Sequence, residues 1–333
     1  MANIYEIAER AGVSPKTAAR ILAGGSKRSK HHAKVLACAQ ALGYVRNQQA
    51  ANLRTGRSRL VGILVPYIDN PFYTKFLQEM HDALKDKSYQ SMIACSFGKA
   101  DDMVSALKLF DTYNVDGIAL DISEGILTPE ISHLLQQMRK RKRAIVITGA
   151  QFHDIAYDHL YLDNKSAVAK LVRHLSARGH KTVGFLGGMP DNLNIKNRLE
   201  SLKQSLREQG LVIKTEWIAL GDPSIPSVLQ RAHQLLHGKE RPAAIVCTSD
   251  MIAMAAMRAA SEAGLRVPDD VAISGFDDIE QASLMSPGLT TLRQPMEVMA
   301  KDIVELLLRP GKPRNKPIEE KRYEAELVIR EST

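Results

Sequence analysis

The sequence predicts an N-terminal all-α helix-turn-helix headpiece with a hinge helix, followed by a two-lobed α/β core of parallel, doubly wound sheets. Three observations predict this fold class. Short helical patterns separated by a glycine occupy the first 43 residues, buried-strand and helix patterns alternate from residue 60, and positive charge is concentrated before that change. The 333 residues are enough for two or three domains with a sizeable core.

The first two predicted helices have the spacing of a helix-turn-helix. Residues 4–11 place apolar and small side chains on one helical face, and Gly12 permits the tight turn that follows. Ser14 is a good N-cap, and Pro15 suits the first position of the second helix. Because the two helices cross closely, a small residue, Ala8, is required where they touch.

A third helix is predicted over residues 31–42, with Gly43 placed to end it. Helical spacing assigns four of its apolar residues to the inner face. These residues are Val35, Leu36, Ala39 and Leu42. Together the three helices would give the headpiece a small core of its own.

Charge separates the headpiece from the rest of the chain. Residues 1–60 contain eleven Lys and Arg residues but only two acids, Glu6 and Glu9. The other 273 residues contain 34 basic and 35 acidic residues, so the net charge of +8 arises entirely from the N-terminal segment. A patterned basic module on a neutral body predicts a polyanion as the partner of that module.

From Leu60 onward, apolar runs of strand length alternate with amphipathic helical segments. Near-continuous apolar strands are typical of parallel sheets that are covered on both faces. So many strand-helix units predict two doubly wound lobes, with a ligand at the carboxyl ends of the strands in the crevice between them. The predicted strands are 60–66, 91–97, 115–122, 143–149, 159–164, 182–188, 216–221, 243–249 and 271–278.

Cysteine usage and hydropathy restrict the class of protein. Cys38, Cys95 and Cys247 lie far apart and form no CxxC pair, so we expect neither a zinc site nor a disulfide framework. The N-terminus lacks the apolar core of a signal peptide, and no apolar run reaches about 18 residues. We therefore expect a cytoplasmic protein without a membrane partner.

The motifs of common enzymes are missing from the sequence. Residues 184–190 are glycine-rich but lack GxGxxG spacing, and the sequence contains no GxxxxGK[ST], HExxH or GxSxG. An enzyme with a DNA-binding headpiece and a non-specific, nucleoid-like DNA binder stay open as alternatives. Substrate turnover would identify the first, and equal competition by random DNA the second. A secreted sugar-binding protein would need a signal peptide and would not need residues 1–56.

In their order and spacing, motifs along essentially the whole chain resemble those of the LacI/GalR family of bacterial transcription regulators. The motifs are AGVSPKTAARIL (11–22), ALGYVRN (41–47), LRTGRS (53–58), VGILVPYIDNPFY (61–73), VDGI (115–118), GHKTVGFLGG (179–188), VPDDVAISGFDD (267–278), PGLTTLRQP (287–295) and ELVIRES (326–332). The resemblance implies a core like that of periplasmic sugar-binding proteins. Its implied divisions are a headpiece over 1–46, a hinge over 47–59 and a core over 60–333, with one lobe about 60–160 and 292–322 and the other about 161–291 and 323–333.

The resemblance also assigns DNA contacts to the headpiece and hinge. Pro15 and Lys16 match the first two positions of the recognition helix, which tune sequence choice in this family. A bidentate contact from Arg20 to guanine would discriminate by about 1–3 kcal/mol. Leu53 matches a leucine that wedges into the minor groove. The predicted DNA-binding residues are Ser14, Pro15, Lys16, Thr17, Arg20, Lys30, His31, Asn47, Ala50, Leu53 and Arg54, of which Lys30 and His31 belong to a run that is more basic than is usual in the family.

In the family, a small-molecule effector binds between the lobes. The matched positions here are Phe72, Tyr73, Asn194, Arg198, Ser249, Asp250 and Asp277. The aromatic rings can stack on a sugar or a base, Arg198 can direct two donors at hydroxyls or a carboxylate, and Asp277 can accept hydrogen bonds. Ser249 replaces a common asparagine, and Pro223 stands where an aromatic residue often closes the pocket, so the effector's identity stays open.

These observations predict a sequence-specific, ligand-responsive transcriptional regulator that uses no cofactor. We expect a repressor of carbohydrate-metabolism genes that a sugar-like effector releases from a near-palindromic operator. The alternatives are a co-repressor-dependent or purine/nucleoside-responsive regulator, or a global activator/repressor of the same family. Because the final residues, ELVIREST, carry no leucine heptads, we expect a homodimer rather than a coiled-coil tetramer.

Overall fold

A computed structural model describes residues 2–22, 24–26, 28–44, 57–125, 127–151, 156–238, 240–309 and 317–333. The chain divides after Ser58 into two units, an N-terminal headpiece and a core. Of the predicted hinge over 47–59, residues 47–56 lie outside the described part of the chain, so the hinge stays a prediction.

The helices and strands follow in chain order. The helices are α1 (Ile4–Ala11), α2 (Pro15–Leu22), α3 (His32–Ala41), α4 (Pro71–Asp86), α5 (Ala100–Thr112), α6 (Pro129–Lys140), α7 (Asn164–Ala177), α8 (Leu193–Gln209), α9 (Ile225–His237), α10 (Asp250–Glu262), α11 (Glu280–Leu284) and α12 (Met296–Leu308). The strands are β1 (Leu60–Val65), β2 (Gln90–Cys95), β3 (Gly117–Asp121), β4 (Ala144–Gly149), β5 (Asp158–Leu162), β6 (Val183–Leu186), β7 (Ile218–Ala219), β8 (Ala244–Cys247), β9 (Ala272–Ser274), β10 (Thr291–Arg293), β11 (Glu320–Tyr323) and β12 (Glu326–Val328).

The headpiece is built from α1, α2 and α3 around small and branched side chains. Asn3 caps α1 by accepting from the backbone N–H groups of Tyr5 and Glu6, and the Glu6 side chain completes a capping box. Gly12 ends α1 with a left-handed φ of 69°, which lets the chain turn sharply into α2. The buried residues are Ile7, Ala8, Ala11, Ala18, Ile21, Val35 and Ala39.

The prediction that Leu36 lies on the inner face of α3 was wrong. Val35 and Ala39 are buried and Leu42 packs against the headpiece core, but Leu36 is 44% exposed. Val35, Ala39 and Leu42 follow the i, i+4, i+7 spacing of one helical stripe, whereas Leu36 lies about 100° around the helix from Val35. Only one face of α3 contacts α1 and α2, which leaves Leu36 largely open to solvent.

The first lobe of the core is a six-stranded parallel sheet in the order β11-β5-β4-β3-β1-β2. Its strands β1 and β3 are almost entirely buried because helices cover both faces of the sheet. Residues of α5 and α6 pack on one face. Residues of α4 and α12 pack on the other.

The second lobe is a four-stranded parallel sheet in the order β7-β6-β8-β9. Helices α7 and α8 cover one face, and α9 and α10 the other. Strands β10 and β12 form a separate antiparallel pair, with Thr291 opposite Val328. An isolated bridge between Ser274 and Thr290 joins that pair to the second sheet.

The chain leaves the first lobe after β5, returns to it with α12, and leaves it again after β11. Both sheets are parallel and doubly wound, and both direct the carboxyl ends of their strands toward one crevice. The fold class predicted from the sequence is confirmed. The architecture places the loops after β1, β3, β4, β6, β8 and β9 where a ligand would lie.

Candidate functional site

The start of α2 forms a polar, exposed surface on the headpiece. The Ser14 hydroxyl accepts from the backbone N–H of Thr17 at 3.2 Å, which makes Ser14 the N-cap. The Thr17 hydroxyl lies 2.9 Å from the Ser14 hydroxyl. Pro15 and Lys16 are exposed on this first turn. The arrangement supplies the slender, solvent-facing helix end that a major groove admits.

The remaining predicted DNA contacts divide into two groups. Arg20 and Lys30 are exposed, whereas His31 is half-buried at the start of α3. Asn47, Ala50, Leu53 and Arg54 lie outside the described residues. The DNA-binding assignments therefore stay predictions.

A cavity of about 660 Å³ lies between the two lobes of the core. Loops that follow strands of both sheets line it, as the topology predicts. Its size suits a monosaccharide, disaccharide or nucleoside. The structure brings six of the seven predicted effector residues to this cavity, namely Phe72, Tyr73, Asn194, Arg198, Ser249 and Asp277.

The wall of the first lobe combines aromatic rings with a buried carboxyl group. Asn70 caps α4, so Phe72 and Tyr73 fall in its first turn, where their rings meet edge to face at a centroid distance of 4.9 Å. The Tyr73 hydroxyl lies 3.5 Å from Oδ2 of Asp121. Burial raises the pKa of Asp121 to about 6, against the hydrogen bond from the Ser123 N–H to its Oδ1.

The wall of the second lobe contains Arg198, whose guanidinium is held largely by the chain itself. Its Nε donates to Oδ1 of Asn164 at 3.0 Å, and its Nη1 donates to the carbonyl of Thr248 at 2.6 Å. Its Cζ lies 3.4 Å from the centroid of the Phe276 ring. The sequence predicted two free donors toward a ligand. Among the described residues, only Nη2 lacks a protein acceptor.

Asp277 presents the second carboxyl group of the cavity. Gln294 donates to its Oδ1 at 2.9 Å, and only 7% of the residue is exposed. Burial raises the pKa of Asp277 to about 8, and the nearby Arg198 charge only partly opposes this rise. Its φ of 114° is unusual for a residue other than glycine and directs the side chain into the cavity.

Ser249 and Asp250 take structural roles at the start of α10. The Ser249 hydroxyl accepts from the Ile252 N–H as the N-cap, although the residue also lines the cavity. Asp250 is fully buried and does not line it. Its two oxygens accept from the Thr291 hydroxyl and the Ile279 N–H. We correct the sequence-based assignment of Asp250 as an effector ligand, because its acceptors are used inside the lobe.

Sequence reasoning missed several polar residues of the cavity. Asp121 and Glu124 lie at and after the end of β3, and Gln294 follows β10, at points where a buried apolar run gives way to polar residues. That change of character was visible in the sequence and could have identified Asp121. No local signal identifies Asn192, which caps α8 through the Ile195 N–H.

Two hydrogen bonds join the lobes beside the cavity. Nδ2 of Asn192 donates to Oε1 of Glu124 at 3.0 Å, and the Leu193 N–H donates to the Ser123 carbonyl at 2.9 Å. Burial raises the pKa of Glu124, against the hydrogen bond from Asn192. We call these four residues the lobe clasp. They couple the geometry of α8, which carries Arg198, to the loop that follows β3.

The lining of the cavity is suited to binding a small molecule. Aromatic and methionine side chains provide apolar walls, and a few polar groups converge from both lobes. Within the described ranges, no cluster of three or more His, Cys, Asp or Glu side chains could hold a metal ion. No helix in the same ranges is long and apolar enough to span a membrane.

Known proteins resemble the chain at the level of sequence and of fold. Residues 172–333 match the family model described as a periplasmic binding protein-like domain. The HTH-type transcriptional repressor PurR of Photobacterium profundum is 28% identical over 335 residues, covering 100% of this chain and 98% of that protein.

Solved structures agree in fold over the whole chain. The Lac repressor dimer bound to operator and the anti-inducer ONPF superposes with a TM-score of 0.87 at 22% identity, covering 100% of this chain and 99% of that one. The complex of the transcriptional regulator CelR with cellobiose gives a TM-score of 0.73 at 22% identity, covering 100% of both chains.

Proposed function

We infer that this chain acts as a transcriptional repressor because it belongs to the LacI/GalR family of transcriptional regulators. It is a ligand-responsive DNA-binding protein rather than an enzyme. The observation that carries this function is the pairing of two separate units. One unit exposes the polar start of α2, and the other encloses a cavity between two lobes.

The mechanism that we propose couples these units through a dimer. Two chains associate through their cores and place two α2 helices on the half-sites of a near-palindromic operator, about one helical turn apart. Residues 47–56, including Leu53, connect each headpiece to its core and contact the minor groove. The protein acts in the cytoplasm, at operators within the nucleoid.

The effector acts by changing the separation between the two lobes of the core. It contacts Tyr73 and Asp121 on one wall and Arg198 and Asp277 on the other, so its affinity depends on the separation of the walls. If a different separation favours operator binding, effector and operator alter each other's affinity by the same factor. We propose release by the effector, and recruitment by a co-repressor is the alternative.

A sugar-like effector fits the cavity because polar groups on both walls surround apolar side chains. A purine or nucleoside is the second candidate, and the curated relatives that carry the name PurR favour it. The Phe72 and Tyr73 rings suit either ligand, since the face of a sugar ring and that of a base both stack on aromatic side chains.

Selection from random-sequence DNA tests the DNA-binding function. The full chain should enrich a near-palindromic site that binds in competition with excess random DNA. Arg20→Ala should weaken binding to that site at least about fivefold, because a bidentate base contact contributes about 1–3 kcal/mol. Arg258→Ala removes an exposed arginine from the core and should leave DNA binding unchanged. Equal competition by random and selected DNA would contradict sequence-specific regulation.

A further inference from the structure

Building on the proposed function, we propose that the cavity selects an effector without negative charge and rejects phosphorylated and carboxylated molecules. The effector class is an uncharged or cationic polar molecule of sugar or nucleoside size. The inference rests on the charges that line the cavity, on the contacts of its single arginine and on the acceptors left open in its walls.

Acidic side chains dominate the lining of the cavity. Among the described residues, five carboxyl residues face one basic residue, Arg198, and no lysine or histidine lines the space. The acids come from both lobes and are Asp69, Asp121, Glu124, Asp222 and Asp277. Because burial raises the pKa of Asp277 to about 8, that group holds its proton at neutral pH. An anion that enters the space therefore approaches like charge from the other four acids, of which Asp69 and Asp222 are exposed.

The charge of Asp222 persists at the mouth of the cavity. The Ser224 N–H donates to its Oδ1 at 2.7 Å, and this hydrogen bond lowers the pKa of Asp222. Arg231 lies behind this wall but does not line the cavity, because its Nη2 donates to the backbone carbonyls of Gly187 and Asp222. Asp222 therefore presents a carboxylate to the cavity, and the charge of Arg231 behind it balances that carboxylate in part.

The one cation of the described lining, Arg198, already uses part of its donor set inside the lobe. Recognition of a phosphate or carboxylate usually uses two parallel N–H donors of a guanidinium. In Arg198, the Nε and Nη1 donors are used by Asn164 and Thr248, and the ring of Phe276 covers one face. These bonds block the paired donors Nε and Nη2 on one edge of the guanidinium, and they leave one N–H on Nη1 and two on Nη2, which can donate to hydroxyl or carbonyl oxygens.

Carboxyl oxygens in both walls are open to accept hydrogen bonds from a ligand. Oδ2 of Asp277 receives no hydrogen bond from the described residues, although the residue is more than nine-tenths buried and lines the cavity. Asp121 faces the same space from the first lobe, where the Tyr73 hydroxyl lies at a long 3.5 Å from its Oδ2. Such walls favour ligands that donate hydrogen bonds, namely hydroxyl and amino groups.

Matched pairs of ligands test this selectivity on the full chain. Titration calorimetry and thermal shift would compare D-ribose with D-ribose 5-phosphate, D-glucose and D-glucosamine with D-glucose 6-phosphate and D-gluconate, and adenosine with its 5′-monophosphate. For each pair that binds, the uncharged or cationic member should bind at least about 100-fold more tightly. Tighter or equal binding of an anionic member would overturn the inference but leave the proposed function intact. If no member binds, both the inference and an effector of this size class are overturned.

A charge-neutralised cavity separates electrostatic rejection from a simple lack of space. Asp69→Asn combined with Asp222→Asn should reduce the preference for the uncharged member by about tenfold, chiefly through tighter binding of the anion. Glu208→Gln combined with Asp269→Asn removes the same charge from exposed positions outside the cavity and should leave the preference unchanged. An unchanged preference in the cavity variant would show that its acids do not cause the rejection and would overturn the inference.

Discussion

At the scale of single residues, the core buries a carboxyl group that is costly to ionise in its proposed ligand site. Asp277 is buried, accepts one hydrogen bond from Gln294, and keeps one oxygen open toward the cavity. A ligand hydroxyl that donates to that oxygen would replace the water that burial removed. The residue therefore serves binding at the expense of the stability of the empty protein.

Asp277→Asn should stabilise the ligand-free protein at pH 8 and weaken effector binding. The folded protein raises the pKa of Asp277 from 3.8 to about 8, so it retains a proton that the unfolded chain releases. The stability from this group is full below about pH 4 and is lost as the pH rises to about 8. At pH 8 the variant should melt about 2–4 °C higher, with the gain shrinking toward pH 5. Glu208→Gln, an exposed control, should change the melting temperature by less than about 1 °C. A gain that does not depend on pH would contradict this account.

Asp250 should prove essential to folding but not to ligand contact. Asp250→Ala leaves the Ile279 N–H and the Thr291 hydroxyl without their acceptor inside the lobe, at a cost of about 3 kcal/mol in the free energy of unfolding. Asp250→Asn keeps one oxygen to accept and should cost less than half as much. Denaturant unfolding measures both values, and calorimetry should give an effector Kd within about threefold of the wild-type value for each folded variant. A loss of binding without a loss of stability would restore Asp250 as a ligand residue.

At the scale of elements, the N-terminus of α8 connects the two lobes. Asn192 uses its oxygen to cap the helix and its nitrogen to bind Glu124 of the other lobe. The Asn192 side chain therefore makes both the N-cap of α8 and the hydrogen bond to the first lobe. The residue that begins the helix also fixes the position of α8 relative to that lobe. Since α8 also carries Arg198, a shift of the lobes would move a group that lines the cavity.

The lobe clasp should affect effector affinity even though the tested substitutions are designed to act through the lobes rather than through a contact with the effector. Asn192→Asp retains the capping oxygen but places a carboxylate against Glu124, so the two lobes should repel at this point. We expect effector binding to weaken about tenfold, with the melting temperature changing much less than for Asp250→Ala. Adding Glu124→Gln restores a donor to the pair and should recover most of the affinity. If the double variant binds no better than Asn192→Asp alone, the clasp does not control the ligand-binding arrangement.

At the scale of the whole molecule, the division after Ser58 separates the proposed DNA-binding surface from the proposed effector cavity. Every described residue that lines the cavity lies in the second unit, and the basic excess lies almost entirely in the first. Under the proposed function, coupling between DNA and effector therefore requires both units in one chain, since neither unit alone contains both surfaces.

A core of residues 59–333 should bind the effector as the full chain does in the absence of DNA, with a Kd within about twofold. Operator DNA should change the effector affinity of the full chain and leave that of the isolated core unaltered, because coupling requires both binding surfaces in one molecule. Calorimetry with and without the selected operator measures both effects. Sedimentation of the same samples tests the expected dimer. A response of the isolated core to operator DNA would contradict this division.

The sequence alone determined most of the elements and the partner classes of this protein, but it did not predict strands β10, β11 and β12. Helix caps, helical stripes, buried apolar strands and the charge of the first 60 residues are properties of neighbouring residues, so they can be read without coordinates.

The tertiary structure decided the details of the site. It brought Asn164 and Thr248 to Arg198, enclosed Asp250 within the lobe, joined Asn192 to Glu124, and left Leu36 uncovered. These outcomes depend on strand order, on the passage of the chain between lobes and on which face of a short helix meets a neighbour. The hydrogen bonds among them join residues tens of positions apart, and no local pattern encodes such pairings.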